Sequence, residues 1–257
     1  MRVLALDQAS RTSGWAVFND GKLVTFGKFT ADHSDVGDRL HFIRSKVNSL
    51  IDEYDIDEVV FEDIQLQGNV ANNVATFKAL AEVGDEFITF APYFPEYKCF
   101  VESVGSELKV VPANIDTFQI NFEKFEEMID EHTKGIIINS PNNPSGAVYS
   151  EETIQKLADI LTKKSEEFGH PIFIISDEPY RELVYDNAFV PYIPNFYPDT
   201  VVCYSFSKSL SVPGERIGYV SVSPKSSDPI ALYQAVCGAG RALGFVCAPS
   251  MFQFLIP

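Results

Sequence analysis

Residues 205–219 read SFSKSLSVPGERIGY, and they follow a short continuous apolar run at 201–204. A run of that length, closed by polar and turn-forming residues, has the character of a buried strand. Lys208 then stands just past the strand end, with Arg216 eight residues further on. Two upstream segments share the layout: the apolar run 135–138 leads into NSPNNPSG (139–146), and 172–175 leads into SDEPY (176–180). Between them, Ile154, Leu157, Ala158 and Leu161 fall on one face of a helix over residues 151–168. Short apolar strands alternating with helices predict an α/β fold with a mostly parallel sheet covered on both sides. In such a sheet ligands collect outside the carboxyl ends of the strands. Asn143, Asp177 and residues 205–208 all fall there.

Taken together, the three motifs resemble the cofactor-binding half of the class I/II aminotransferases, the pyridoxal-phosphate enzymes of fold type I. The resemblance spans residues 84–257, and the SxSK and GxRxG spacings fit without a gap. It implies a large-domain core of the PLP-transferase kind, with pyridoxal 5′-phosphate as cofactor and amino-group transfer between an amino acid and a 2-oxo acid as reaction. Lys208 is then the catalytic amine, bonding the cofactor aldehyde and later shuttling a proton. Asp177 pairs with the pyridine nitrogen and keeps it protonated. Asn143 and Tyr180 bond the phenolic oxygen. Ser205, Ser207 and Arg216 hold the phosphate, the arginine through charge-assisted bonds, and Phe94 stacks on the ring. The parent enzymes are homodimers with sites at the subunit interface. They also carry a phosphate-binding helix ahead of the matching region, and after it a small domain with the arginine that clamps the substrate carboxylate. Since the chain ends at Pro257, the expectation is an incomplete member, active or not, with a sticky apolar end over residues 245–256.

Residues 1–83 read differently. Apolar runs at 3–6, 14–18 and 23–29, the last two flanking Asn19-Asp20-Gly21, predict three antiparallel strands with a tight hairpin. Residues 40–54 have helical periodicity, 58–61 form a fourth strand running into Glu62, and 74–83 read as a second helix. MRVLALDQASRTSGWAV and VVFEDIQLQGNVANNVATFKALAEV resemble the phage RuvC-type Holliday-junction resolvases, so that a partial ribonuclease H-like β-β-β-α-β-α unit precedes the second region. In that family carboxylates on the first and fourth strands hold two divalent metals. Asp7 and Glu62 match them, as ligands for Mg2+ or Mn2+, while no residue after Glu82 matches the later acidic ligands. The alternatives to a transaminase are therefore a metal-dependent junction endonuclease in residues 1–83 and a chimeric scaffold with neither activity.

Bulk properties narrow these classes. The formal charge of −16 and the acidity of both halves argue against a nucleic-acid surface, which depends on clustered Lys and Arg. Cys99, Cys203, Cys237 and Cys247 show no CxxC spacing and sit among apolar neighbours, which predicts buried reduced thiols and a cytoplasmic setting. The start MRVLALDQAS lacks the charged, apolar and cleavage regions of a signal peptide and no apolar run is long enough to span a bilayer, so neither feature is expected. Each site residue also has a plainer reading: Lys208 as a solvated surface lysine, NPSG as a turn, Asp177 as a loop cap, Phe94 as core, Arg216 as a surface ion-pair member. His33, His41, His132 and His170 lack metal-ligand spacing.

Overall fold

The computed structural model describes residues 1–7, 12–33, 36–61, 68–245, 248–249, 251, 253 and 256. The chain forms two compact units, Met1–Ile64 and Gln65–Pro257.

The first unit contains β1 (Arg2–Asp7), β2 (Thr12–Asn19), β3 (Lys22–Thr30), α1 (Val36–Tyr54) and β4 (Glu58–Phe61). The sheet order is β3-β2-β1-β4, with β1 to β3 antiparallel and β4 parallel to β1. Asp20 and Gly21 both take positive φ, 49° and 75°, the geometry that lets a two-residue turn match the strand twist. Leu4, Val17 and Leu50 are buried against Trp15, Phe29 and Val47, which joins α1 to the sheet. The three antiparallel strands, the helix and the fourth strand expected over residues 1–61 are found here. Glu62 and the Asp7 side chain lie outside what the structure describes.

The second unit begins with α2 (Gly68–Leu80), followed by β5 (Glu86–Phe90), α3 (Glu96–Glu102), β6 (Glu107–Val111), α4 (Phe122–Met128) and β7 (Thr133–Asn139). It continues with α5 (Glu151–Phe168), β8 (Phe173–Asp177), β9 (Thr200–Ser205), α6 (Phe206–Ser209), β10 (Gly218–Val222) and α7 (Pro229–Ala242). The strand order is β10-β9-β8-β7-β5-β6, parallel except for β10, which runs antiparallel to β9. Alternate residues of each inner strand face opposite layers. Ile136, Ile138, Ile88 and Ile174 pack with Phe125 of α4 and with Ile154, Leu157 and Leu161 of α5. Ile137, Phe87, Ile175 and Val201 pack with Phe77 of α2, Phe100 and Val101 of α3 and Leu232 and Val236 of α7. Ser150 caps α5, its side chain accepting a hydrogen bond from the Thr153 amide.

Two expectations change. The helix expected at 74–83 starts at Gly68 and belongs to the second unit, not to a unit ending at residue 83. The reason is in its face: Val74, Phe77 and Leu80 are buried in the core that contains Phe87 and Val201, and Asn72 Nδ2 donates to the carbonyls of Tyr204 (3.1 Å) and Tyr219 (3.2 Å). Of the cysteines, Cys203 alone is a buried thiol among the described residues. Cys99 on α3 and Cys237 on α7 lie on exposed helix faces, and Cys247 is outside the described residues. Among the described residues no helix is long and apolar enough to cross a membrane.

Candidate active site

After β6 the chain crosses back to place β7 on the other side of β5. Strand order reverses at that point, and an open α/β sheet presents its crevice there, at the carboxyl ends. A cavity of about 200 Å³ lies at this edge. It is lined by Phe94 from the loop after β5, Asn143 from the loop after β7, Asp177 and Tyr180 at the end of β8, and Ser205, Ser207, Lys208 and Arg216 beyond β9. The eight residues expected for the cofactor therefore share one cavity. Asp177 and Ser205 are buried, Lys208 is exposed at the rim, and the others are partly buried.

Register explains how the acidic side is built. Asn139 pairs with Asp177 across β7 and β8, and Asp177 pairs with Cys203 across β8 and β9. Asn139 Nδ2 donates to the Asp177 carbonyl at 2.8 Å, and its Oδ1 accepts from the Asn143 amide at 2.6 Å, so one buried side chain locks the NSPNNPSG loop to the next strand. Asn143 Nδ2 lies 3.3 Å from the Tyr180 hydroxyl. Below the cavity Tyr97 donates its hydroxyl to Asp177 Oδ2 at 2.5 Å, with both residues buried. Burial first, then the Asp177 charge, push the Tyr97 phenol well above its ordinary range. Tyr180 is raised for the same two reasons, with the Asn143 bond pulling the other way. Burial also drives the Cys203 thiol up, so this sulfur stays protonated and unreactive.

The opposite side is made of donors. Ser205 caps the single turn α6, accepting from the Ser207 amide at 3.2 Å and donating to Ser207 Oγ at 2.8 Å. Arg216 sits at φ 51°, a left-handed conformation disfavoured for a side chain with a Cβ. Its Nη1 donates to the Pro213 carbonyl, while its Nε is buried with no hydrogen-bond partner among the described residues. Burial lowers its pKa, though an arginine so placed remains charged. A partly buried guanidinium with an unused N–H, lining one cavity with two hydroxyls and a lysine, has the donor chemistry that suits an anion.

Three residues of the site escaped the sequence reading. Asn139 stood in a quoted motif, and its place as the last residue of the strand was the available signal. Tyr97, in the first turn of α3, lies three residues after Phe94 and meets its ring edge-on at 5.6 Å, and no local pattern points to it. Asn73 of α2 also lines the cavity; the helix had been assigned to the other unit. Among the described residues no group of three or more His, Cys, Asp or Glu could hold a metal ion.

The fold and cavity define a doubly wound α/β domain with a lysine, a buried carboxylate and an arginine with two serines at the strand ends. The sequence matches the family Aminotransferase class I and II over residues 45–251. A probable aspartate/prephenate aminotransferase of Aquifex aeolicus is 39% identical over 162 residues, covering 60% of this chain and 39% of the relative. A probable aspartate aminotransferase of Methanocaldococcus jannaschii is 32% identical over 208 residues, covering 80% and 53%. An amino transferase crystal structure from Eubacterium rectale superposes with a TM-score of 0.71 at 61% identity, covering 73% of this chain and 47% of that one. The chain belongs to the class I and II aminotransferase family. It spans about half the length, or less, of these relatives. The match begins inside α1, ahead of the boundary expected at residue 83. No resemblance to a resolvase or ribonuclease H-like protein is among these findings.

Membership in the family implies pyridoxal 5′-phosphate, and the residues present fit it. The orphaned Arg216 Nε and the paired serines suit a phosphate ester, Asp177 suits a protonated pyridine nitrogen, and Lys208 supplies an amine.

Proposed function

We propose that residues 65–257 form a pyridoxal-phosphate site for amino-group transfer between an amino acid and a 2-oxo acid, working as a homodimer. What carries the reading is the convergence on a single cavity of Asp177, at the end of β8, with Lys208 and Arg216, both from the connection between β9 and β10. The bound cofactor supplies an electron sink for the substrate's α carbon. Ser205, Ser207 and Arg216 hold its phosphate, and Asp177 holds the proton on its ring nitrogen. Asn143 and Tyr180 donate toward its phenolic oxygen, and Phe94 covers one ring face. Lys208 would hold the cofactor at its aldehyde through Nζ and would supply the base for the substrate's α proton. Tyr97 acts through Asp177, fixing which way the carboxylate points.

Titration with pyridoxal 5′-phosphate tests this. A visible absorption band should develop in the wild type and be lost in Lys208→Ala. A wild-type spectrum unchanged at saturating cofactor contradicts the proposal.

A second reading concerns residues 1–64. The order β3-β2-β1-β4, with β4 parallel to β1, is what a partial ribonuclease H-like unit requires, and it supports a resolvase origin joined to the aminotransferase region. In that case Asp7 and Glu62 would bind Mg2+ or Mn2+. Metal-dependent cleavage of a four-way DNA junction, lost in Asp7→Asn, is the test; absence of cleavage with either metal removes the reading.

A further inference from the structure

α2 contributes a polar residue that none of the three motifs contains. Asn73 is 1% exposed and lines the cavity, and its Oδ1 has no hydrogen-bond partner among the described residues. Buried amides in folded proteins are almost always paired, because an unpaired one is destabilising. The neighbours of Asn73 on α2, Asn72 and Thr76, do have polar partners.

The contacts of α2 fix where Asn73 lies. Thr76 Oγ1 is 3.5 Å from Cys203 Sγ, and Asn72 Nδ2 reaches the carbonyl of Tyr204, one residue further along β9. The helix therefore runs opposite to β9, with its N-terminal half toward the strand's carboxyl end. Asn72 also abuts Gly218, against which the Ser205 Cα is packed: a Cβ built on Gly218 would lie 3.1 Å from both Asn72 Nδ2 and Ser205 Cα. Asn73 thus stands toward the Ser205 side of the cavity, whose lining also holds the other orphaned group, Arg216 Nε.

We propose that Asn73 is a binding residue for the phosphate ester of the ligand, its amide donating a neutral hydrogen bond beside the charged one from Arg216. This deepens the function proposed above and rests on it. Each of the three terminal oxygens of a phosphate monoester accepts more than one hydrogen bond, so together they take more donors than Ser205, Ser207 and one guanidinium edge supply. An amide adds a donor without adding charge, and the anion selects the NH2 end of a group that can present either end.

The experiment compares wild type, Asn73→Ala, Asn73→Ser and Asn73→Asp for binding of pyridoxal 5′-phosphate and of unphosphorylated pyridoxal, and for the melting shift given by inorganic phosphate. Asn73→Ala should weaken pyridoxal 5′-phosphate roughly tenfold, the scale of one lost hydrogen bond to a charged group. It should leave pyridoxal unchanged and shrink the phosphate-induced melting shift. Asn73→Asp should lose more, by repulsion of the dianion, and Asn73→Ser should recover part of the loss. If Asn73→Ala fails to fold, the serine and aspartate variants carry the same comparison. Equal losses for both ligands, or unchanged affinity for pyridoxal 5′-phosphate in variants that fold, overturn the inference while leaving the proposed function intact. A wild type that binds neither ligand overturns both.

Discussion

The hydroxyl of Tyr97 lies 2.5 Å from Asp177 Oδ2, and both residues are almost fully buried, at 1% and 3% exposure. The bond joins α3 to the end of β8, so the carboxylate beneath the cavity is aimed by a residue eighty positions away in sequence. A hydrogen bond to a charged acceptor in such surroundings contributes about 2 kcal/mol.

Tyr97→Phe should therefore lower unfolding free energy by about 2 kcal/mol and weaken cofactor binding with Lys208 still present. Its pH signature is distinct. The folded phenol is raised above 10.0 by burial and by Asp177. Its contribution to stability is complete below pH 10.0 and is lost as pH rises from there through the folded value. Denaturant unfolding followed into the alkaline range should show this loss in the wild type and a shallower one in Tyr97→Phe.

Arg216 separates binding from stability. Its left-handed backbone costs roughly 1 kcal/mol for a residue with a Cβ, and its Nε is buried without a partner among the described residues. Arg216→Gly should leave the melting temperature of the cofactor-free protein within a few degrees of wild type. Affinity for pyridoxal 5′-phosphate should meanwhile fall about a hundredfold, as expected for a lost charge-assisted pair. Parallel melting and titration experiments read both quantities.

Gly218 is held by close approach of backbones, not by its φ. A Cβ there would sit 2.2 Å from the Tyr204 carbonyl oxygen and 3.1 Å from Asn72 Nδ2. Gly218→Ala must push β10 from β9 or displace the Asn72 bonds. It should cost about 3 kcal/mol, measured by denaturant unfolding, and raise amide exchange in residues 218–222.

Lys109 on β6 forms ion pairs with Glu86 and with Asp130, the latter at 2.7 Å. Burial alone would raise the Asp130 pKa, but the Lys109 bond and the His132 amide outweigh it, so the folded value is below 3.8. The stabilisation from Asp130 is present above pH 3.8 and is lost as pH falls through that lower folded value. Lys109→Met should cost about 1 kcal/mol near neutrality and flatten the acid limb of a stability-against-pH curve.

Much of this was legible in sequence because it was local. Strands β7, β8 and β9 are short apolar runs that end at turn-forming or polar residues, and the motifs begin where the runs stop, so the family resemblance could name seven cavity residues there, with Phe94 after β5 as the eighth. Features set by tertiary contact were not visible. The face of α2 carrying Val74, Phe77 and Leu80 suits any apolar partner, and its local resemblance to a resolvase segment drew the boundary to residue 83 when the packing puts it at 64. Tyr97 and Asn73 are ordinary helix residues until β8 and β9 are placed beside them. The thiols of Cys99 and Cys237 were misjudged because their apolar neighbours in sequence lie on other helix faces.

The central claim is that Lys208 is the amine that meets the cofactor at this cavity. Borohydride reduction of the protein with pyridoxal 5′-phosphate, followed by peptide mass mapping, tests it most directly. The modification should fall on the peptide containing Lys208 and be absent from Lys208→Ala. Labelling spread over surface lysines, with Lys208 unmodified, would contradict the account.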